Sequence, residues 1–206
     1  MRIALFGGTF DPPHRGHIAI AKAAADAFSL DRIFFAPTGK QPLKTTAPAA
    51  SFEDRFAMVD IATSTDMRFS ASLIDAPRMD GGPNYTVDAL SRLGNLMAIE
   101  DATSSTMHCI TGADAFLDLR RWRQPELLLE LAEWIVVSRP GFSLRDLRPL
   151  ALTPHQLARV HILDNIHEDI SSTCLREALQ AGLNIDDLLA PGVANYIHQH
   201  HLYTSK

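Results

Sequence analysis

Residues 7–17 read GGTFDPPHRGH, a glycine pair followed within one short segment by two histidines three positions apart. Gly7 and Gly8 carry no Cβ, so they allow a tight backbone turn and a close approach to a ligand. A helix starting near His14–Gly16 directs free N–H groups and a partial positive charge at the same place. His14 and His17 stand about one helical turn apart and can face a single anion. Thr9 and Phe10 offer backbone groups beside them. Residues 171–176, SSTCLR, form a second group of this kind. Ser171, Ser172 and Thr173 suit a helix N-cap whose hydroxyls and N–H groups bind anionic oxygens. Arg176, one turn further, can point back to the same oxygens. The dinucleotide fingerprint GxGxxG and the phosphate loop ending in Gly-Lys-Ser/Thr are both absent. What remains is phosphate chemistry based on histidine, arginine and helix N-termini.

Other segments offer supporting groups. PTGKQPLK, residues 37–44, holds Lys40 and Lys44 in a Pro-containing loop. GPNYTVDAL, residues 82–90, puts Tyr85 and Thr86 at a helix start capped by the threonine. GADAFLDLRRW, residues 112–122, combines Asp114, an acceptor for a ribose or an adjacent loop, with the flat ring of Trp122. His198, His200 and His201 crowd a helix end and read as solvent-exposed rather than as a metal site. His108, His155, His161 and His167 show no pattern. No metal ligands are assigned, and Cys109 and Cys174 are too few for a disulfide framework.

The elements that must position these groups alternate. Apolar runs at 2–6, 32–36, 67–70, 107–110, 134–137 and 160–163 read as strands. Helical spacing occupies 17–28, a stretch from Ser51, 86–93, 115–119, 125–131 and the chain from Ser172 onward, the last punctuated by Gly182 and by Pro191-Gly192. The expected fold is α/β, a Rossmann-like parallel sheet with helices on both faces and a small helical C-terminal segment. Residues 1–206 are expected to form one domain, with 171–206 as a helical C-terminal subdomain. Hydrophobic residues make up 46% and charged residues 21%, a globular balance. The net charge of −5 argues against a general nucleic-acid binder. No apolar run is long enough to span a bilayer and no signal-peptide pattern opens the chain, so a cytoplasmic protein without membrane partners is expected.

With both motifs in order, the sequence resembles the HxGH nucleotidyltransferase superfamily, and its wording is similar to that of bacterial nicotinate-nucleotide adenylyltransferases. The resemblance runs across nearly the whole chain. It implies that His14 and His17 contact the ATP phosphates, with Lys44 and Arg176 as further catalytic cations. Gly7, Gly8, Thr9, Phe10, Asp114, Ser171, Ser172 and Thr173 would bind ATP. Tyr85, Thr86 and Trp122 would bind the nicotinate moiety. Leu43 stands where the family commonly has His, and Asn84 where it has Ser. Arg123 and Gln124 follow Trp122 where relatives often carry a second aromatic. The C-terminal LLAPGVANYIHQHHLY, residues 188–203, matches with one extra Ala190. The implied reaction is attack of the nicotinate mononucleotide phosphate on the α-phosphorus of ATP, with Mg²⁺ accompanying the nucleotide. Such a reaction needs no Ser or Cys nucleophile, because a phosphate is already ionised. Nicotinamide mononucleotide or phosphopantetheine as acceptor, and a non-catalytic nucleotide-binding module, are the alternatives. A homo-oligomer is compatible with all of these.

Overall fold

The structure, a computed structural model, describes residues 1–100, 105–138, 144–164 and 170–204. Its strands are β1 (Arg2–Gly8), β2 (Arg32–Pro37), β3 (Phe69–Ala71), β4 (Thr106–Gly112), β5 (Glu133–Val137) and β6 (Val160–Leu163). Its helices are α1 (Arg15–Phe28), α2 (Phe52–Thr63), α3 (Thr86–Glu100), α4 (Ala113–Leu117), α5 (Pro125–Leu131), α6 (Pro154–Leu157), α7 (Ser172–Gln180) and α8 (Val193–Gln199). The strands form one sheet in the order β3-β2-β1-β4-β5-β6, with every neighbouring pair parallel. The chain order reverses at β1, so a crevice opens at the carboxyl ends of β1 and β4.

Side chains alternate across the sheet with period two, which divides the core. Ala4 and Phe6 of β1 join a cluster with Ile18, Ala21 and Ala25 of α1, Met58 and Val59 of α2, Leu175 of α7, and Val193 and Ile197 of α8. Ile3 and Leu5 face the other way, onto Leu90 and Leu93 of α3, Phe116 of α4 and Leu128 of α5. Helices thus cover both faces of a Rossmann-like sheet, as expected. The C-terminal helices share the first of these clusters with the strands. Trp134 of β5 is fully buried and donates its indole N–H to the Leu128 carbonyl at 3.3 Å, so burial leaves no polar atom of the ring unpaired.

Local chemistry shifts several boundaries. α1 begins at Arg15, with His14 in extended conformation just before it. β3 starts two residues later than the apolar run suggests. Arg68 folds onto Asp66, with its backbone N–H and Nε each 3.0 Å from Oδ1, and Met67 is left fully exposed. The chain after Ser172 breaks at the two places where the sequence punctuates it. α7 stops at Gln180 and Gly182 takes φ +71. Gly192, at φ +79, starts α8, and a 3-10 turn over Asp186–Leu188 lies between. No described helix is long and apolar enough to cross a membrane.

Candidate active site

The segment after β1 turns differently from the sequence reading. Gly7 and Gly8 continue the strand, and the left-handed conformation falls on Phe10, at φ 49. The glycines matter for space. A Cβ on Gly8 would stand 3.0 Å from the Phe10 ring, whereas one on Gly7 would meet nothing within 4 Å. Phe10 is held there by Phe6 (5.6 Å), Phe35 (5.7 Å) and His17 (4.9 Å), measured between ring centroids. Strain in the backbone at Phe10 is thus offset by ring packing.

His14 and His17 are brought together, with ring centroids 3.7 Å apart. The His14 backbone N–H donates to His17 Nδ1 at 3.2 Å, which leaves the proton of neutral His17 on Nε2. His14 Nδ1 is buried and has no hydrogen-bond partner among the described residues. Burial lowers the His14 pKa to about 4. Burial first, and then the neighbouring His14, hold His17 well below the usual imidazole range. Both rings are therefore neutral near pH 7, and a neutral imidazole is an N–H donor toward an anion. Lys44 Nζ donates to Thr9 Oγ1 at 3.1 Å, and burial followed by the Arg176 charge lowers its pKa.

The second motif meets the first. Arg176 Nη1 donates to the Asp11 carbonyl at 2.7 Å, and its Nη2 donates to Thr173 Oγ1 at 3.2 Å. Ser172 Oγ donates to the Pro12 carbonyl at 3.0 Å. The N-cap reading needs correction: Ser171 occupies the cap position, but its hydroxyl makes no capping bond. The hydroxyls of Ser172 and Thr173 are instead committed to the loop and to Arg176. The first turn of α7 keeps its backbone N–H groups. Further along, Arg15 donates to the Asp187 carbonyl at 3.0 Å, and His14 pairs with Leu189 through an antiparallel bridge. The C-terminal segment thereby holds the start of α1.

Beside this lies a cavity of about 380 Å³ at the carboxyl ends of β1, β2 and β4. Gly7, Thr38 and Lys44 line the side next to the two motifs, and Tyr85, Thr86 and Trp122 the far side. Thr86 is the first residue of α3 and so does not cap it; Tyr85 precedes the helix. Trp122 meets Trp134 edge-on, with centroids 5.9 Å apart. Asp114, by contrast, is exposed in the first turn of α4 and does not line the cavity, whereas Asp118 does. Leu43, in the position of the expected His, is 47% exposed on the rim.

Three residues, Asp11, Arg55 and Asp75, escaped the sequence reading, and a fourth, Asn84, was visible there only as a departure from the family pattern. Asp11 is buried, and its carboxylate accepts from Ala49 N (2.7 Å), Ala50 N (3.1 Å) and Tyr203 Oη (2.7 Å). Arg55, 1% exposed, donates to the Thr9 and Thr38 carbonyls at 2.7 and 3.0 Å, tying the ends of β1 and β2 together. Asn84 is a buried bracket: Nδ2 donates to the carbonyls of Asp75 and Ala76, and Oδ1 accepts from Lys40 N. Asp75, also buried, lines the cavity, and burial pushes its carboxyl up to about 6 against lowering hydrogen bonds from Thr38 and Asn84. Asp11 stood inside the first motif, but its partners lie 38 to 192 residues away. A buried Arg in α2 has the sequence signature of any helical Arg.

The histidines divide. His198 lies 3.3 Å from Asp186 and His200 stacks on Tyr196 at 4.0 Å, both exposed. His108 and His161 do show a pattern, contrary to the sequence reading. Their Nε2 atoms lie 3.6 and 3.0 Å from Glu133 Oε2. His167 lies outside the described residues.

Comparison with known proteins places this geometry among relatives. The cytidylyltransferase-like family model matches residues 5–178. The chain is 39% identical over 204 residues to a probable nicotinate-nucleotide adenylyltransferase of Leifsonia xyli subsp. xyli, covering 99% of this chain and 94% of that one. It is 40% identical over 199 residues to a protein of the same description from Kineococcus radiotolerans, covering 97% and 89%. In fold it resembles the Plasmodium falciparum nicotinic acid mononucleotide adenylyltransferase solved with NaAD. There the TM-score is 0.72 and the identity 18%, with 98% of this chain and 97% of that one covered.

Proposed function

The chain belongs to the cytidylyltransferase-like family and, within it, to the nicotinate-nucleotide adenylyltransferases, and on that premise we propose that it joins the AMP part of ATP to nicotinate mononucleotide. The products are deamido-NAD and pyrophosphate. The observation that carries this reading is the meeting of the two motifs, through Arg176 and the Asp11 carbonyl, beside the cavity that holds Tyr85, Thr86 and Trp122. One side offers donors for a triphosphate. The other offers an aromatic face and a helix N-terminus suited to a planar anionic ring. The domain we assign is the whole of 1–206, with 171–206 contributing to the nucleotide side.

In this reaction an oxygen of the acceptor phosphate attacks the α-phosphorus in line, and the bond from that phosphorus to the β-bridging oxygen breaks. No proton needs to move. Catalysis is alignment plus stabilisation of charge that grows on the transferring and leaving groups. We assign the imidazoles of His14 and His17, Lys44, Arg176 and the free N–H groups of the first turn of α7 to those oxygens. Gly7, Gly8, Thr9, Phe10, Ser171, Ser172 and Thr173 shape that side. Arg55 and Asp11 hold the loops and do not touch substrate. Asp114 lies off the cavity wall, and its contact would be with the nucleotide ribose. Mg²⁺ enters as part of the substrate, bound to ATP by phosphate oxygens and water. The residues present fit that arrangement. The Asp11 carboxylate is already occupied by three donors and is not open to an ion.

The test is incubation with Mg·ATP and, separately, nicotinate mononucleotide, nicotinamide mononucleotide and phosphopantetheine, with products identified by mass. Formation of deamido-NAD, with a higher kcat/KM than for the other two acceptors, is expected. Adenylylation of phosphopantetheine alone would redirect the acceptor, and no product with any of them would leave a binding module.

A further inference from the structure

Five charged side chains line the acceptor cavity: Lys44, Asp75, Asp118, Arg121 and Arg123. Their partners differ. Arg121 is paired with Asp118 at 3.1 Å, and Lys44 is drawn to Thr9 at the nucleotide end. Asp75 is buried in the wall next to Asn84, and when ionised it repels an anionic ring. Arg123 lies with its guanidinium carbon 4.7 Å from the centroid of the Tyr85 ring. Among the described residues it has neither a carboxylate nor any hydrogen-bond acceptor as partner.

A guanidinium resting on an aromatic face is anchored through its plane, and its N–H fork stays open at the edge. That fork matches a carboxylate with two parallel hydrogen bonds. Tyr85, the platform, is joined directly to Thr86, where α3 begins and its first N–H groups point away from the helix. Trp122, joined directly to Arg123, presents its ring to the same cavity. A carboxylate on a planar ring next to Trp122 would therefore meet the α3 N-terminus on one side and a positive fork on the other. Without that fork, the helix N-terminus alone, worth at most a fraction of a unit charge, would face the Asp75 carboxylate.

Resting on the acceptor assigned above, we propose that Arg123, held on Tyr85, is the specificity-determining residue that makes the cavity select an acceptor ring bearing a carboxylate over the same ring bearing an amide. Its partner is the ring carboxylate and not the acceptor phosphate, which reacts at the Lys44 end.

The experiment compares kcat/KM of the full chain with Arg123→Ala and Arg123→Lys, each with Mg·ATP and either nicotinate or nicotinamide mononucleotide. These two acceptors share phosphate, ribose and ring and differ only in the carboxylate. Arg123→Ala is expected to lower kcat/KM for the nicotinate form about 10- to 100-fold, through KM, as for a lost charged hydrogen bond. The nicotinamide form should change less than about threefold, and Arg123→Lys should fall between. Arg123 is exposed, so the variants should fold, which a thermal melt checks. Equal losses with both acceptors, or no loss with either, would overturn the proposal while leaving the adenylyl transfer in place. A wild-type chain that forms no dinucleotide from either acceptor would overturn the function on which the proposal rests.

Discussion

Replacing Asp75 by Asn should stabilise the fold at neutral pH and not in acid. Asp75 is 8% exposed, and burial raises its carboxyl from 3.8 to about 6. The unfolded chain therefore gives up this proton more readily than the folded one. A carboxyl raised in the folded state contributes stability that is fully present below about pH 4 and is lost as the pH climbs through about 6. The difference corresponds to about 3 kcal/mol once both states are ionised. Asn keeps the shape, accepts from Thr38 through its oxygen, and does not ionise. Relative to wild type, the variant should gain about 2–3 kcal/mol between about pH 4 and pH 8. For a chain of this size that is roughly 5–10 °C in Tm. The assay is urea unfolding of both proteins across that pH range, read as the difference between them, which cancels every other titrating group. A difference that stays constant with pH would refute the reasoning, since it would mean that Asp75 ionises equally in both states. A stability gain at pH 8 would also explain the carboxylate as a cost borne at a binding site rather than as a structural bond.

Three other outcomes follow from the nucleotide side. His17→Ala should lower turnover by about two or more orders of magnitude in a folded protein; a well-folded variant with near-normal kcat would show that Nε2 of His17 faces no reacting oxygen. Arg176→Ala should impair ATP use more than acceptor use, with Arg176→Lys partly tolerated because charge persists without the planar fork; steady-state kinetics with each substrate varied decide it, and an effect confined to the acceptor KM would move Arg176 to the other site. Tyr203→Phe removes the hydroxyl that donates to Asp11 at 2.7 Å and should cost about 1–3 kcal/mol of stability with a raised KM for ATP. Unchanged unfolding and unchanged ATP kinetics would mean that Asp11 finds another donor.

The strands of the sheet could be read from apolar runs because a parallel sheet buries both faces, so β1, β2 and β5 each carry an unbroken apolar run, at 3–6, 33–36 and 134–137. β3 was misplaced because a run of apolar letters does not show that Arg68 and Asp66 close a turn there. The residues of the two motifs could be found because their chemistry is local, a few positions within one helix start. Asp11, Arg55 and Asn84 act through partners in other loops, and no periodicity records a bond between residues 44 or 192 positions apart. Of the two roles that the glycine pair suggests, the missing Cβ counts and the turn does not. It supplies room beside Phe10 and the cavity, and the turn belongs to a phenylalanine held by other rings. His108 and His161 looked unrelated because their link, Glu133, lies on the strand between them.

The Asp11 bracket also has a history in time. During synthesis the segment carrying Asp11 emerges first, and Ala49 and Ala50 follow soon enough to occupy part of its carboxylate. Arg176 appears 165 residues after Asp11, and Tyr203 appears 192 residues after it. A nascent chain can therefore pair β1 with β2 and wind α1 long before the loop between β1 and α1 has its last two supports. β1 and β2 can pair early, whereas Arg176 and Tyr203 reach the loop only after the last strand of the sheet, β6, has been made. The order of synthesis thus separates the pairing of the first two strands from the final bracing of the loop that follows β1.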